Sequence, residues 1–242
     1  MFFHKQFFTK ALFPFLSFLS FFCAFGQFGG IDGQGVLEKQ MNDFWRKGTW
    51  NTSYSNERIK GSVYLFPEWN TTGSITTTNG KTYKTKKINY DTKLDMLILQ
   101  VSKDSIYSFN PGIIEQFSIE NRMFKRYLDP DFGRNSYYEV IAESDNFSIL
   151  KRYTASVKEG RVNPMTHVKE TSDKYVQESK VFYFVGDEKK LTELKLSTNA
   201  IVKVLEADES EAKDLKKFIK SNGLSVKEED DLQKIVTYSR YN

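Results

Sequence analysis

Few residues in this chain have the types and spacing that chemistry requires. His167 stands in a polar stretch, Asn163-Pro-Met-Thr-His-Val, and a Ser-His-Asp triad would have to use it. No Gly-x-Ser-x-Gly elbow accompanies it, so it is read as an exposed loop histidine. The chain has one Cys and two His, of which only His167 lies beyond the N-terminal segment read below as a signal peptide, so neither a zinc site nor a cysteine nucleophile nor a cofactor is expected. Asp129-Pro-Asp131-Phe-Gly133 spaces its acids like the start of a calcium loop, but an EF-hand needs Gly at the sixth position and here it falls at the fifth. A turn held by Asx side chains is the better reading. The 31 acids could supply a carboxylate pair for a hydrolase, although spacing in sequence does not bring any two face to face.

Lys81, Lys84, Lys86 and Lys87 form a basic run around Tyr83. They suit a solvated edge strand, where lysine opposes edge-to-edge pairing, better than a nucleic-acid surface. Trp45, Trp50 and Trp69 are the three tryptophans, close together in sequence and beside Tyr54, Tyr64 and Phe66. Exposed, they would form an aromatic binding surface for a glycan, lipid or protein; buried, they would pack an N-terminal helix onto the first strands. These three are the candidate binding residues, and no catalytic or metal-binding residue is assigned.

The elements that position these residues begin after a targeting segment. Lys5 and Lys10 precede an apolar run, interrupted by Pro14, that ends Ala24-Phe-Gly26. This matches a signal peptide, and the run is shorter than the ~20 residues that span a bilayer. Cys23 admits a lipoprotein reading, but Phe21 and Phe22 stand where that signal wants a small residue. Cleavage between Gly26 and Gln27 is expected, with residues 1–26 as signal peptide. The remaining 216 residues carry a formal charge of +2 in place of +4, because Lys5 and Lys10 are lost. That near-neutral charge gives no electrostatic case for nucleic acid or for an anionic membrane surface. The mature chain also lacks cysteine and any apolar stretch long enough for a transmembrane helix. An exported bacterial protein is expected, in the periplasm or cell envelope with an extracellular location as the alternative, and the Asn-x-Ser/Thr triplets at Asn51, Asn70 and Asn146 are read as chance matches.

Residues 27–35 contain four glycines and read as a flexible lead-in. Apolar residues at helical spacing in 36–45 predict a short amphipathic helix. Strand periodicity then runs from Gly61 to Leu196, with strands expected at 62–66, 74–78, 83–89, 94–101, 113–119, 123–128, 137–143, 147–153, 180–185 and 191–196. Asn79-Gly80 is expected to be a two-residue hairpin turn with φ > 0 at both positions. Short connections make neighbours antiparallel. Near the C-terminus, Ile201, Val202 and Leu205 mark a short helix. Asp208/Glu211 and Ser225/Glu228 are read as capping boxes, and Asn222-Gly223 as a helix stop. The expected fold is α+β, mainly β: a large curved antiparallel meander with a short N-terminal helix over 36–196, and two to three helices over 197–242 capping the same globular unit.

Gly61-Ser-Val-Tyr-Leu-Phe-Pro-Glu-Trp69, Gly73-Ser-Ile75, Ile88-Asn-Tyr-Asp91 and Leu94-Asp-Met96, with the ending Phe218-Ile-Lys-Ser-Asn-Gly-Leu224, Glu228-Glu-Asp-Asp-Leu232 and Tyr238, form an ordered set of short motifs. Together they resemble a group of uncharacterised exported β-rich proteins of Bacteroidetes-type bacteria. The resemblance covers about residues 61–242 and implies a signal peptide and an envelope location, with no assigned activity. The functional expectation is a non-enzymatic binding or scaffold module whose partner is an envelope protein, lipid or glycan. The alternative is a carboxylate-dependent hydrolase acting on envelope or imported polymers.

Overall fold

The computed structural model describes residues 48–52, 59–144, 147–186, 190–205 and 208–241. The expected signal peptide with its cleavage point at Gly26 and Gln27, the lead-in, the N-terminal helix and Trp45 lie outside the described residues. The main class is as the periodicity predicts: a mainly β protein, dominated by antiparallel pairing, with helices at the C-terminus.

The strands form two sheets. In the smaller, β1 (Thr49–Thr52), β7 (Ser105–Ser108), β6 (Met96–Ser102) and β5 (Ile88–Asp91) lie side by side in that order. The larger runs β13 (Lys190–Glu193), β12 (Asp173–Val185), β11 (Phe147–Lys158), β10 (Asn135–Glu143), β9 (Arg122–Leu128), β8 (Ile114–Ile119), β3 (Thr72–Thr77) and β4 (Thr82–Lys86). The short β2 (Ile59–Lys60) adds to the far end of β12 in parallel.

One expected strand over 83–89 is two strands in different sheets, because Lys87 sits between β4 and β5 at φ 56° and turns the chain out of the first sheet. The expected strand at 62–66 is instead an irregular cover along the outer edge of β5. There Thr92 N donates to Val63 O at 3.0 Å, Leu65 N to Tyr90 O at 2.9 Å, and the Asn89 amide to Phe66 O at 2.8 Å. Such a cover satisfies β5's outward backbone groups and blocks edge pairing.

The turns also differ in kind from their signals. At the Asn79-Gly80 hairpin only Gly80 is left-handed, at φ 78°. Gly80 N donates to Thr77 O at 2.8 Å and Thr77 N to Lys81 O at 2.9 Å, which makes a three-residue loop closing on a glycine bulge. The two-residue turn with both residues left-handed occurs at Glu120 and Asn121, φ 49° and 66°, where Ile119 pairs with Arg122.

The sheets pack face to face over Ile88, Tyr90, Leu97, Leu99, Tyr107 and Phe109 on one side and Ile75, Ile114, Phe117, Ile119, Phe124 and Tyr137 on the other. Farther along the larger sheet, α1 (Thr198–Val204), α2 (Glu209–Ser221) and α3 (Glu229–Tyr241) replace the second sheet as cover. They bury Ile201, Leu215, Ile219, Leu232, Ile235 and Val236 against Ile141, Ala142 and Ile149. The expected Asp208/Glu211 capping box forms, and Gly223 at φ 62° ends α2 with Leu224 N on Ile219 O. The second box is displaced: the carboxylate of Asp231, in the first turn of α3, and not that of Glu228, accepts the Ser225 N–H at 3.0 Å.

Candidate functional site

The two described tryptophans, Trp50 and Trp69, do not assemble into one surface. Trp50 lies on β1 at one edge of the smaller sheet, 52% exposed, with its ring edge-on to Tyr107 at 5.2 Å. Trp69 belongs to the segment covering β5 at the other edge, half-buried and edge-on to Tyr64 at 5.0 Å. Between the edge strands β1 and β5 lie three strand spacings, about 14 Å. Each described tryptophan therefore rests on a local tyrosine, and the aromatic surface is not built from this pair.

Two clusters of buried ionisable groups centre on arginine–carboxylate pairs, and strand pairing makes both; apart from them, burial raises the carboxyls of Asp91, which accepts from the Lys93 and Leu94 amides, and Asp95, which accepts from Tyr90 Oη and the Tyr137 amide. Asp129, at the end of β9, is fully buried, and its Oδ1 accepts from the Asp131 and Phe132 amides at 2.8 and 3.1 Å. This is the expected Asx turn. Its Oδ2 meets Arg152 Nη1 at 2.5 Å and accepts from Tyr138 Oη at 2.8 Å, so the carboxylate is committed to protein partners. Burial first, and then the Asp129 hydrogen bond, push the Tyr138 hydroxyl well above the ordinary tyrosine range. Phe132 lies over the Arg152 guanidinium at 4.6 Å.

On the opposite face, Arg122 binds Glu139 with two hydrogen bonds, Nε–Oε1 at 2.5 Å and Nη2–Oε2 at 2.8 Å. Tyr153 Oη accepts from Arg122 at 2.6 Å and donates to Glu139 Oε2 at 2.7 Å. Burial alone would lower the Arg122 pKa, but Glu139 more than offsets it and the net shift is upward. Lys151 then bridges to Glu229 on α3 at 2.7 Å. This cluster occupies the seam where the sheet-covered core gives way to the helix-covered one. In both clusters the buried carboxylate is bound by an arginine, an arrangement suited to holding strands together and not to proton transfer. Among the described residues no group of three or more His, Cys, Asp or Glu gathers as a metal site.

The feature that sequence reasoning passed over is the distal end of the β11–β12 hairpin. Both strands outrun their expected lengths, pairing from Phe147 with Val185 to Lys158 with Lys174. The connection folds into a closed tip: Val162 bridges Lys169, Asn163 N donates to Val168 O at 2.9 Å, and His167 N donates to Asn163 O at 2.9 Å. The Asn163 side chain accepts from the Met165 and Thr166 amides, Pro164 fixes the turn's first φ, and His167 takes φ 54°. Gly160 lets the base of the tip close, since a Cβ there would lie 1.8 Å from Thr171 O. This braced turn presents Met165 at 91% exposure, with Val168 at 62% and Val162 at 47%. His167 is exposed, as expected. The available signal was Asn163-Pro164 ahead of apolar residues in an otherwise polar stretch.

A second surface feature is an open depression of about 630 Å³ between α2 and α3, where Phe218 stacks on Tyr238 at 3.9 Å beside Asp230 and Lys234. The basic run falls where it was expected, with Lys84 and Lys86 exposed on the edge strand β4. Among the described residues, no helix is long and apolar enough to cross a membrane. No protein-family model matches the chain, and neither the curated proteins nor the solved structures include a significant match.

Proposed function

We propose that this is an exported envelope protein that works by binding, with the tip of the β11–β12 arm as its contact surface. The observation that carries this reading is the exposure of Met165, Val168 and Val162 together on a turn braced by its own hydrogen bonds. An apolar side chain gains nothing from water, and a tip that is rigid before contact loses little entropy on docking. The arginine-bound states of Asp129 and Glu139 support a structural use of these two acids and leave neither free as a hydrolase carboxylate. Export rests on the N-terminal sequence and on the resemblance to exported β-rich proteins.

Cell fractionation tests the reading. Antibody detection is expected to find a product beginning at Gln27 in the sedimented envelope, retained through a low-salt wash. An uncleaved chain in the cytoplasm, or a cleaved chain wholly free in the soluble fractions, would overturn it.

A further inference from the structure

The base of the same tip carries a charge arrangement that fold stability does not explain. Lys158 pairs in register with Lys174, and Lys174 with Lys60 of β2, so three lysines stand side by side across three adjacent strands. All three are exposed and none makes an ion pair among the described residues. Like charges directly opposite one another on neighbouring strands repel, and no ion pair among the described residues offsets that repulsion. Arg161, nearer the apex, is likewise exposed and outside the ion pairs. Two of the nearby acids are engaged inside the tip: Asp173 with Lys169 at 2.6 Å, and Glu170 with the Asn163 amide at 3.0 Å.

We infer that the tip docks on an anionic phospholipid surface, with Met165, Val162 and Val168 entering the headgroup–acyl boundary and Arg161 and the Lys60–Lys174–Lys158 row lying against the phosphates. The inference rests on the binding reading above and names its partner. The dimensions agree. Lys158 ends β11 five positions before Asn163, so at the extended rise of about 3.3 Å per residue the row stands at most roughly 16 Å from the apex turn. Insertion of the apex by about 5–10 Å leaves the row within about one Debye length of the headgroups at physiological salt. Apolar insertion by so few side chains is weak alone, and cations near an anionic surface add roughly fivefold each, so the two parts of the tip act together. An apolar apex above a cationic collar matches the layering of an anionic membrane surface, acyl chains below phosphates. A protein partner would have to reproduce both layers.

Co-sedimentation of the purified protein with phosphatidylglycerol–phosphatidylethanolamine vesicles tests this, with phosphatidylcholine vesicles as the comparison. The expected result is binding to the anionic vesicles that falls at least about tenfold in M165D, and by a similar factor in a K158Q/K174Q double variant or in 0.5 M salt. Both sets of substitutions lie at exposed positions, and an unchanged circular dichroism spectrum and urea midpoint would show that the fold is kept. Equal binding by wild type and M165D, equal binding to both vesicle types, or no binding to either would overturn the inference. If envelope retention in cells persists without vesicle binding, the partner is a protein or glycan and the binding reading stands. If envelope retention is itself absent, that reading fails as well.

Discussion

Asp129→Asn isolates the buried ion pair, because asparagine keeps the shape and its Oδ1 can still accept the Asp131 and Phe132 amides. What changes is the side facing Arg152: a carboxylate oxygen 2.5 Å from Nη1 becomes neutral or presents an N–H to another donor. Asp129 is fully buried and the Arg152 side chain is 8% exposed, so water does not replace the lost partner. Removing one member of such a buried pair costs about 3–5 kcal/mol, a large share of the ~5–15 kcal/mol that stabilises a typical domain. With a urea m-value near ~2 kcal/mol/M, the unfolding midpoint should fall by about 1.5–2.5 M. The assay is equilibrium urea unfolding followed by tryptophan fluorescence and far-UV circular dichroism. The double variant D129N/R152M removes both charges and keeps the Arg152 stem, so it should recover to within about 2 kcal/mol of wild type. A cost below about 1 kcal/mol for D129N, or a double variant equal to the sum of the singles, would refute the claim that the pair is buried and coupled.

Asp95→Asn should behave in the opposite way. Burial raises the Asp95 carboxyl, its Oδ1 accepts from Tyr90 Oη and Tyr137 N, and its φ of 58° suits asparagine, so the variant should be neutral to about 1 kcal/mol more stable at pH 7 by urea midpoint. The same upward shift means that protonating Asp95 relieves a cost, so this group's contribution to stability should grow as pH falls through its folded value towards the unfolded one. Tyr90, Tyr137, Tyr138 and Tyr153 are pushed up chiefly by burial, and Tyr107 to about 12. Their neutral forms contribute stability in full below the unfolded value of about 10, and it is lost as pH rises above that. Absorbance at 295 nm should therefore show delayed ionisation that ends in cooperative unfolding; five independent titrations near pH 10 would contradict this. At Gly73 a Cβ would lie 2.1 Å from Ser118 O and 3.0 Å from Ile88, so G73A should separate β3 from β8 and cost about 3 kcal/mol by the same urea assay.

What could be read from the sequence was local. Alternating apolar residues located most of the strands, and the Asp208/Glu211 box with Gly223 bounded α2. The division into two sheets was hidden, because the break rests on Lys87 adopting a left-handed φ, which lysine does not advertise. β7 was missed because Ser105-Ile-Tyr-Ser108 is too short to show a period. The distal halves of β11 and β12 carry no alternation, since neither face is buried there. Asp129 and Arg152, like Arg122 and Glu139, are distant in sequence and meet only through strand pairing. Trp50 and Trp69 show the converse: near one another in sequence, they are carried to opposite edges of one sheet. The lysine row at the base of the tip needs the register of three strands to be seen at all.

If the tip of the β11–β12 arm is the working surface, photo-crosslinking in intact cells will find the protein's partner there. A photoreactive residue would stand in turn at Met165 and at the exposed Lys213 on α2, far from the tip in the chain and in a different layer of the fold. Adducts with an envelope component are expected from position 165 and none from position 213. No adduct from 165, or equal adducts from both positions, would contradict it.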